Sequence, residues 1–511
     1  PVLLLVLLAV FRSPVAATLP LVLSGFSILV TLAILSLLTS VVAIDIFSLQ
    51  VVTGLGVGLA IDYSLFVLAR YRIEMRRDDG YERAHARTIA TAGHAVLFGA
   101  LTVAAALAAL IAFPQQFLSS TGIAGALVAT FSGIAALLVL PALLALLGPR
   151  VDPGWERAVD RSAPEPDPLS GGSYFWTRIS ERMMRHPVPW ASLALLAMLA
   201  VAAPTLGGSV TTPDARALPE SAGARIVADR AATEFENGNP TRLGVWLPAK
   251  ADRAKTQAAI EELTRGDEAP VASPPRKLAD GSWYVDVVAP VDPLSEAGQD
   301  LVDAARAAPF PSGALVGGRA AELTDQRASI AASAPLVIGI VVLTNLLLVL
   351  AMVRSLILPL VSIALNALTV LAAYGLMVAA FQSESVAELL GAGAQDGIDV
   401  SVPVLAFAVV FGLSTDYGIF LFSRIAEARR SGMSEPEAIT AGISRTGRLI
   451  TSAAVIFAIA VGANVFSDLV IVKEFALAVA IAVILDATIV RGVLVPSILR
   501  MLGARAWWPG G

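Results

Sequence analysis

Two carboxylates interrupt runs that are otherwise almost wholly apolar. Asp62 lies in Gly58-Leu59-Ala60-Ile61-Asp62-Tyr63-Ser64-Leu65-Phe66, and Asp416 in Gly412-Leu413-Ser414-Thr415-Asp416-Tyr417-Gly418-Ile419-Phe420. Both segments read G-x-x-x-D-Y-x-x-F, and an arginine follows each aspartate by eight residues, Arg70 in the first and Arg424 in the second. The copies are 354 residues apart (416 − 62), an offset that also relates Gly93 to Gly447 (447 − 93). A carboxylate in hydrocarbon is costly, and ionisable residues kept there mark ion or proton paths. The chemistry on offer is reversible protonation. Two buried acids close together resist simultaneous ionisation, so proton occupancy can be tied to helix arrangement. The adjoining Tyr63 and Tyr417 can donate to a carboxylate or accept from the acid. A proton crossing 100 mV releases about 2.3 kcal/mol, enough to bias a rocking equilibrium. The plainer reading is that the acids only lock helix packing through the tyrosine hydroxyls.

Such groups need membrane helices to carry them, and the composition supplies them. The 511 residues are 56% hydrophobic and 15% charged, with a mean hydropathy of +0.75, which excludes a soluble protein and predicts a polytopic membrane one. Arg70 and Arg424 open arginine-rich loops and mark a membrane edge; at 1.5 Å per residue the aspartates lie roughly 12 Å inside it. Gly58, Asp62 and Phe66 share one helix face, as do Gly412, Asp416 and Phe420, the glycines allowing close helix packing and the phenylalanines filling the core. The two arginines are either relay members or interfacial anchors. No basic patch suggests nucleic acid. The chain has no cysteine, and His85, His94 and His186 are scattered, so neither a metal nor a cofactor is expected. His94 reads as a packing or interfacial residue.

The chain then divides. Residues 1–147 form a first transmembrane repeat, with a partial helix at 1–11 that reads as the tail of a truncated span, and spans at 15–38, 42–69, 89–113 and 120–147. Arginines at 70, 72, 76, 77, 83 and 87 place the second connection in the cytoplasm. Residues 148–187 read as a cytoplasmic linker and 188–206 as a transmembrane helix. An extracytoplasmic domain follows at 207–329, with strands at 242–247, 283–288 and 314–316 and helices at 253–264 and 295–307, a split βαβ, ferredoxin-like order. The second repeat, 330–499, has spans at 330–353, 356–381, 400–423, 449–467 and 471–499, and 500–511 is a cytoplasmic tail. Lys473-Glu474 reads as an exposed pair near the outer edge. Arg12-Ser13 matches Arg354-Ser355, and Pro141 with Gly148 matches Pro496 with Gly503. The halves keep one orientation, as parallel repeats do. Repeat logic places a further helix and a first soluble domain upstream of this chain.

These residues resemble the MMPL (mycobacterial membrane protein large) branch of the RND superfamily. The resemblance rests on the two G-x-x-x-D-Y-x-x-F segments with their arginines, on Leu485-Asp486-Ala487-Thr488-Ile489-Val490-Arg491, and on Val316-Gly317-Gly318. It implies an α-helical polytopic membrane protein, with an RND-type parallel pseudo-twofold helix bundle and an α+β porter domain. It also implies a proton relay in which Asp62 approaches Tyr417 and Asp416 approaches Tyr63. The family's intramembrane polar set maps onto Asp486 and Arg491, as relay members or a structural ion pair; five residues put them about 140° apart on an α-helix, so they need not pair. The implied function is proton-motive-force-driven export of a lipid or other hydrophobic substrate across or out of the inner (plasma) membrane, without enzymatic activity, and with envelope accessory proteins as further partners. The residues themselves argue only for proton coupling. SecDF-like accessory factors of protein secretion and Patched-like proteins share the RND plan, and intramembrane aspartyl proteases also use two membrane-embedded aspartates.

Overall fold

The computed structural model describes residues 2–509 except 12, 76–80, 152–172, 213, 220, 235–239, 266–268 and 391–396. Arg12, Arg76, Arg77 and most of the expected linker therefore lie outside the described residues. The first half comprises α1 (Val2–Phe11), α2 (Pro14–Leu38), α3 (Phe47–Met75), α4 (Tyr81–Ala108), α5 (Gln116–Ile134) and α6 (Leu140–Leu147), the last two fused through a π-helical turn at Ala135–Val139. Then come α7 (Tyr174–Arg185), α8 (Pro187–Ala202), β1 (Val210–Thr211), α9 (Gly223–Glu234), β2 (Thr241–Leu247), α10 (Arg253–Leu263), β3 (Val271–Ala272), β4 (Arg276–Lys277), β5 (Trp283–Ala289), α11 (Glu296–Ala307) and β6 (Leu315–Gly317). The second half holds α12 (Arg319–Val353), α13 (Ile357–Phe381), α14 (Glu384–Leu389), β7 (Ile398–Asp399), α15 (Val402–Arg430), α16 (Glu435–Gly462), α17 (Val470–Leu485) and α18 (Val495–Leu502), with a π-helical stretch at Asp486–Leu494 between the last two. Among the described residues, ten helical segments are long and apolar enough to cross a membrane.

Small polar residues write the helix ends of both halves alike. Ser13 caps α2, accepting the Ala16 N–H at 3.3 Å, and its hydroxyl donates to the Val151 carbonyl at 2.8 Å. Ser355 repeats both roles ahead of α13, accepting the Leu358 N–H at 3.3 Å and donating to the Ala506 carbonyl at 2.7 Å. Gly148 and Gly503 stop the final helices at φ of 53° and 58°, where a side chain would be strained.

α3 and α15 form the centre: 83% and 89% of their apolar windows are buried, against 17% to 61% for the other spans. Each packs on a helix of the opposite half through its motif glycine. A Cβ on Gly58 would lie 2.4 Å from the Phe457 ring of α16, and one on Gly412 would lie 3.0 Å from Cα of Val103 of α4. Phe457 and Val103 are themselves 354 residues apart, so the two contacts are the same contact made twice.

In the soluble domain the sheet order is β3-β5-β2-β6, all antiparallel, with β4 also on β5. Leu243, Val245 and Leu247 of β2 and Val285 and Val287 of β5 alternate inward against Ile260 of α10 and Val302 and Ala305 of α11. This is the ferredoxin-like arrangement, an α+β fold beside a helical bundle.

Several helices outrun their apolar segments. α3 continues past Arg70 to Met75 and α15 past Arg424 to Arg430, because charged residues end hydrophobicity without ending helix propensity. α12 starts at Arg319, eleven residues before position 330, and its Ala320 and Ala321 belong to the soluble domain's core. Within the expected linker, α7 is a packed amphipathic helix: Trp176, Ser180 and Met183 face inward, and Thr177 and Ser180 bond to Ser444 and Thr440 of α16.

Replacing Gly58 with leucine should force the Phe457 ring aside and cost about 1–3 kcal/mol of stability. Adding Phe457→Ala should recover most of the loss, as read by thermal unfolding in detergent.

Candidate proton-coupling site

The motif residues of α3 reach across the bundle centre toward α15. Asp62 is 2% exposed, and its Oδ2 accepts the Tyr417 hydroxyl at 2.6 Å. Phe66 sits against the same ring, with centroids 6.4 Å apart, and 4.5 Å from the Phe420 ring. These contacts join residues of one motif copy to those of the other. The second oxygen of Asp62 has no hydrogen-bond partner among the described residues.

The reciprocal contact is not made. Tyr63 is fully buried, and its hydroxyl has no hydrogen-bond partner among the described residues. Asp416 turns to α4 instead, where a Cβ on Gly99 would lie 1.9 Å from its Oδ1. The missing side chain of Gly99 is what leaves room. The position 354 residues on is Ala453, fully buried, so the other half offers no equivalent space.

Asp486 and Arg491 form an ion pair, one of the two alternatives left open for them, although an ideal α-helix would set them about 140° apart. They lie in the π-helical stretch, whose wider turn brings residues five apart onto one face, and Arg491 Nε donates to Asp486 Oδ2 at 3.2 Å. Both are at most 2% exposed. The pair meets a polar network that periodicity alone did not single out. Ser414 donates to Asp486 Oδ1 at 2.6 Å and lies 2.7 Å from Asn366 Oδ1. Arg491 Nη2 reaches Asn366 Oδ1 at 3.2 Å, Ser414 Oγ at 3.0 Å and the Ser414 carbonyl. Asn366 donates to Thr415 at 3.1 Å, and Asn345 of α12 donates to the same hydroxyl. Lone amides amid apolar spans were the available signal for Asn345 and Asn366.

This network belongs to the second half alone. Residues 116–147 contain no charged side chain. Gly418 also differs from its counterpart Ser64, and a Cβ there would lie 2.4 Å from Arg491 Nη1. The glycine clears space for the guanidinium.

Arg70 and Arg424 are not drawn into this cluster. Arg70 bonds Glu74 at 2.7 Å; Arg424 bonds Glu427 at 2.7 Å and lies 5.6 Å from the Phe420 ring centroid. Lys473 and Glu474 are not an exposed pair either: they are 6% and 2% exposed, Glu474 accepting the Asp399 N–H and Lys473 donating to the Leu390 carbonyl. Among the described residues, no group of three or more potential ligands could hold a metal ion.

The MMPL family model matches residues 1–190 and 278–510. A Streptomyces coelicolor protein is 35% identical across 99% of this chain and 70% of its own length. The trehalose monomycolate exporter MmpL3 of Mycolicibacterium smegmatis is 32% identical across 99% of this chain and 54% of its own length. The chain thus spans from about half to about two thirds of the length of these relatives. Among solved structures, SecDF, a translocon-associated membrane protein of Thermus thermophilus, aligns with a TM-score of 0.58 over 97% of this chain and 60% of that chain, at 15% identity, a likeness of fold alone.

Arg491→Met should leave Asp486 buried without its cation and cost about 3–5 kcal/mol, whereas Arg491→Met combined with Asp486→Leu should cost less. Thermal unfolding of the three proteins side by side checks the difference.

Proposed function

The chain belongs to the MMPL family, and on that premise we propose that it is a secondary transporter, driven by the proton-motive force, that exports a lipid or other hydrophobic substrate. The observation that carries this reading is the Asp62–Tyr417 hydrogen bond, made at the buried centre between the two motif helices. A charged Asp62 there is held by one phenol and by little else, so its ionisation depends on how the two halves sit. Tyr417 can donate to the carboxylate or accept from the acid, and the bond survives either state in a different geometry. Asp416, across from Gly99, is the second switchable group in the same layer. The lipid class is supported by the name of the MmpL3 relative, an exporter of trehalose monomycolate.

Proton occupancy must move something outside the membrane to do work. α12 offers the linkage, running unbroken for 35 residues, about 52 Å at 1.5 Å per residue, from the soluble domain's core at Ala320 past Asn345. Asn345 bonds Thr415, the residue before Asp416. A shift of α15 is therefore felt along a rod that ends inside the soluble domain.

The arrangement does not favour an aspartyl protease. Such a dyad shares a proton between two carboxylates, whereas Asp62 here is engaged by a tyrosine and Asp416 lies against a glycine of another helix.

Asp62→Asn and Asp416→Asn should each bring proton-dependent transport in proteoliposomes to background while leaving thermal unfolding within a few degrees of the parent. Flux near the parent level in either variant overturns the relay. Mass spectrometry of lipid co-purified with the protein identifies the cargo.

A further inference from the structure

At the end of the bundle that bears the soluble domain, two buried acids meet outside the proposed relay. Asp399 and Glu474 are 5% and 2% exposed, and Glu474 Oε2 accepts the Asp399 backbone N–H at 3.2 Å. The first half makes the same bond at the positions 354 residues earlier: the Asp45 N–H donates to Ser120 Oγ, also at 3.2 Å. A neutral hydroxyl therefore suffices to close this turn. The second half uses an ionisable acid instead, and places it beside another.

What differs there is the burden the turn carries. Its other edge, β7, pairs in parallel with β1, the strand that leads from the membrane into the soluble domain. Ile398 and Val400 donate their N–H groups to the Ser209 and Thr211 carbonyls at 2.9 Å each. Gln382 of the bundle also donates to the Ser209 carbonyl, at 3.2 Å, and Arg327 of α12 to that of Val210. Gly397 permits the approach, since a Cβ there would lie 3.0 Å from the Ser209 and Val210 backbone. One short turn thus joins α17, through Glu474, to the strap of the soluble domain, and runs on directly into α15.

We infer that Glu474 and Asp399 form a pH-sensitive latch that holds the β1 strap of the soluble domain against the bundle when the pair is protonated and releases it when both acids ionise. The buried turn has few means of supporting two negative charges. Lys473 donates to the Leu390 carbonyl at 2.7 Å, and the phenol of Tyr374 on α13 is within electrostatic reach of Glu474 but supplies no positive charge. Ser401 donates to Asp399 Oδ1 through its N–H and hydroxyl, at 2.8 and 2.6 Å, which favours that carboxylate. Burial outweighs this and pushes the Asp399 carboxyl above its ordinary range. The sign follows. In the open form Asp399 titrates in the ordinary carboxylate range, and in the closed form higher, so closure is fully supported at low pH and lost as pH rises through the closed-form value.

Hydrogen exchange of the protein in lipid nanodiscs, corrected for intrinsic rates, tests this at the Ile398 and Val400 amides. Protection should fall by about tenfold or more from about pH 5 to about pH 8, the equivalent of at least one pKa unit of linkage. Glu474→Gln, and Glu474→Ser as a copy of the first half, should keep the strap protected with a markedly flatter pH profile. Asp62→Asn should leave the profile as in the parent, which separates the latch from the relay. A flat profile in the parent protein, or an unchanged one in both Glu474 variants, overturns the inference; an altered profile in Asp62→Asn overturns the latch's independence from the relay.

Discussion

Hydrocarbon cannot solvate charge, so every ionisable group in the bundle must either find a partner or give up its charge. The two halves meet that constraint differently at their shared centre. Asp62 has one donor, Tyr417, from the opposite motif, whereas Asp486 is surrounded by Arg491 and Ser414. The first arrangement is sparse and hence sensitive to small movements. The second is well satisfied and resists them. A sparse group beside a well-satisfied one is the contrast on which the proposed switch rests.

Duplication of the backbone has not meant duplication of the chemistry. Gly58 on Phe457 and Gly412 on Val103 are the same packing contact, yet the polar groups beside them have diverged. Gly418 stands where the first half has Ser64, leaving room for a guanidinium, and Gly99 stands where the second half has Ala453, leaving room for a carboxylate. Even the helix geometry takes part. The repeat offset is 354 between Ser120 and Glu474 but 355 between Pro141 and Pro496, and the intervening π-helical stretch is five residues long in the first half and nine in the second. One additional residue, taken up by widening the helix rather than by breaking it, brings Asp486 and Arg491 onto one face.

The second half is also where the membrane and the soluble domain are physically continuous. α12 carries the connection as a single rod, and the β1–β7 pairing carries it as a strap. Both end on or beside α15, one at Thr415 and the other at the residues preceding Val402. The helix that bears Asp416 is thus reached from the domain outside the bundle by both routes.

Much of this protein was legible without coordinates. Buried acids are rare enough in apolar runs that Asp62 and Asp416 stood out, and their repetition at one offset exposed the duplicated bundle. The alternation in Arg242–Leu247 and Trp283–Val288 placed the sheet of the soluble domain to within a residue or so, because strand periodicity is local. Contacts between distant segments were not legible in the same way. Whether Asp416 meets Tyr63 or Gly99 depends on which helix occupies the gap, and whether Asp486 meets Arg491 depends on the width of one helical turn. The burial of Lys473-Glu474 was hidden for a similar reason: the groups that meet them, the Leu390 carbonyl and the Asp399 N–H, are far away in the chain. Sequence determines which groups are costly to bury and how often each element repeats; only the packed chain decides which neighbour relieves that cost, since the partner is chosen by three-dimensional proximity and not by spacing.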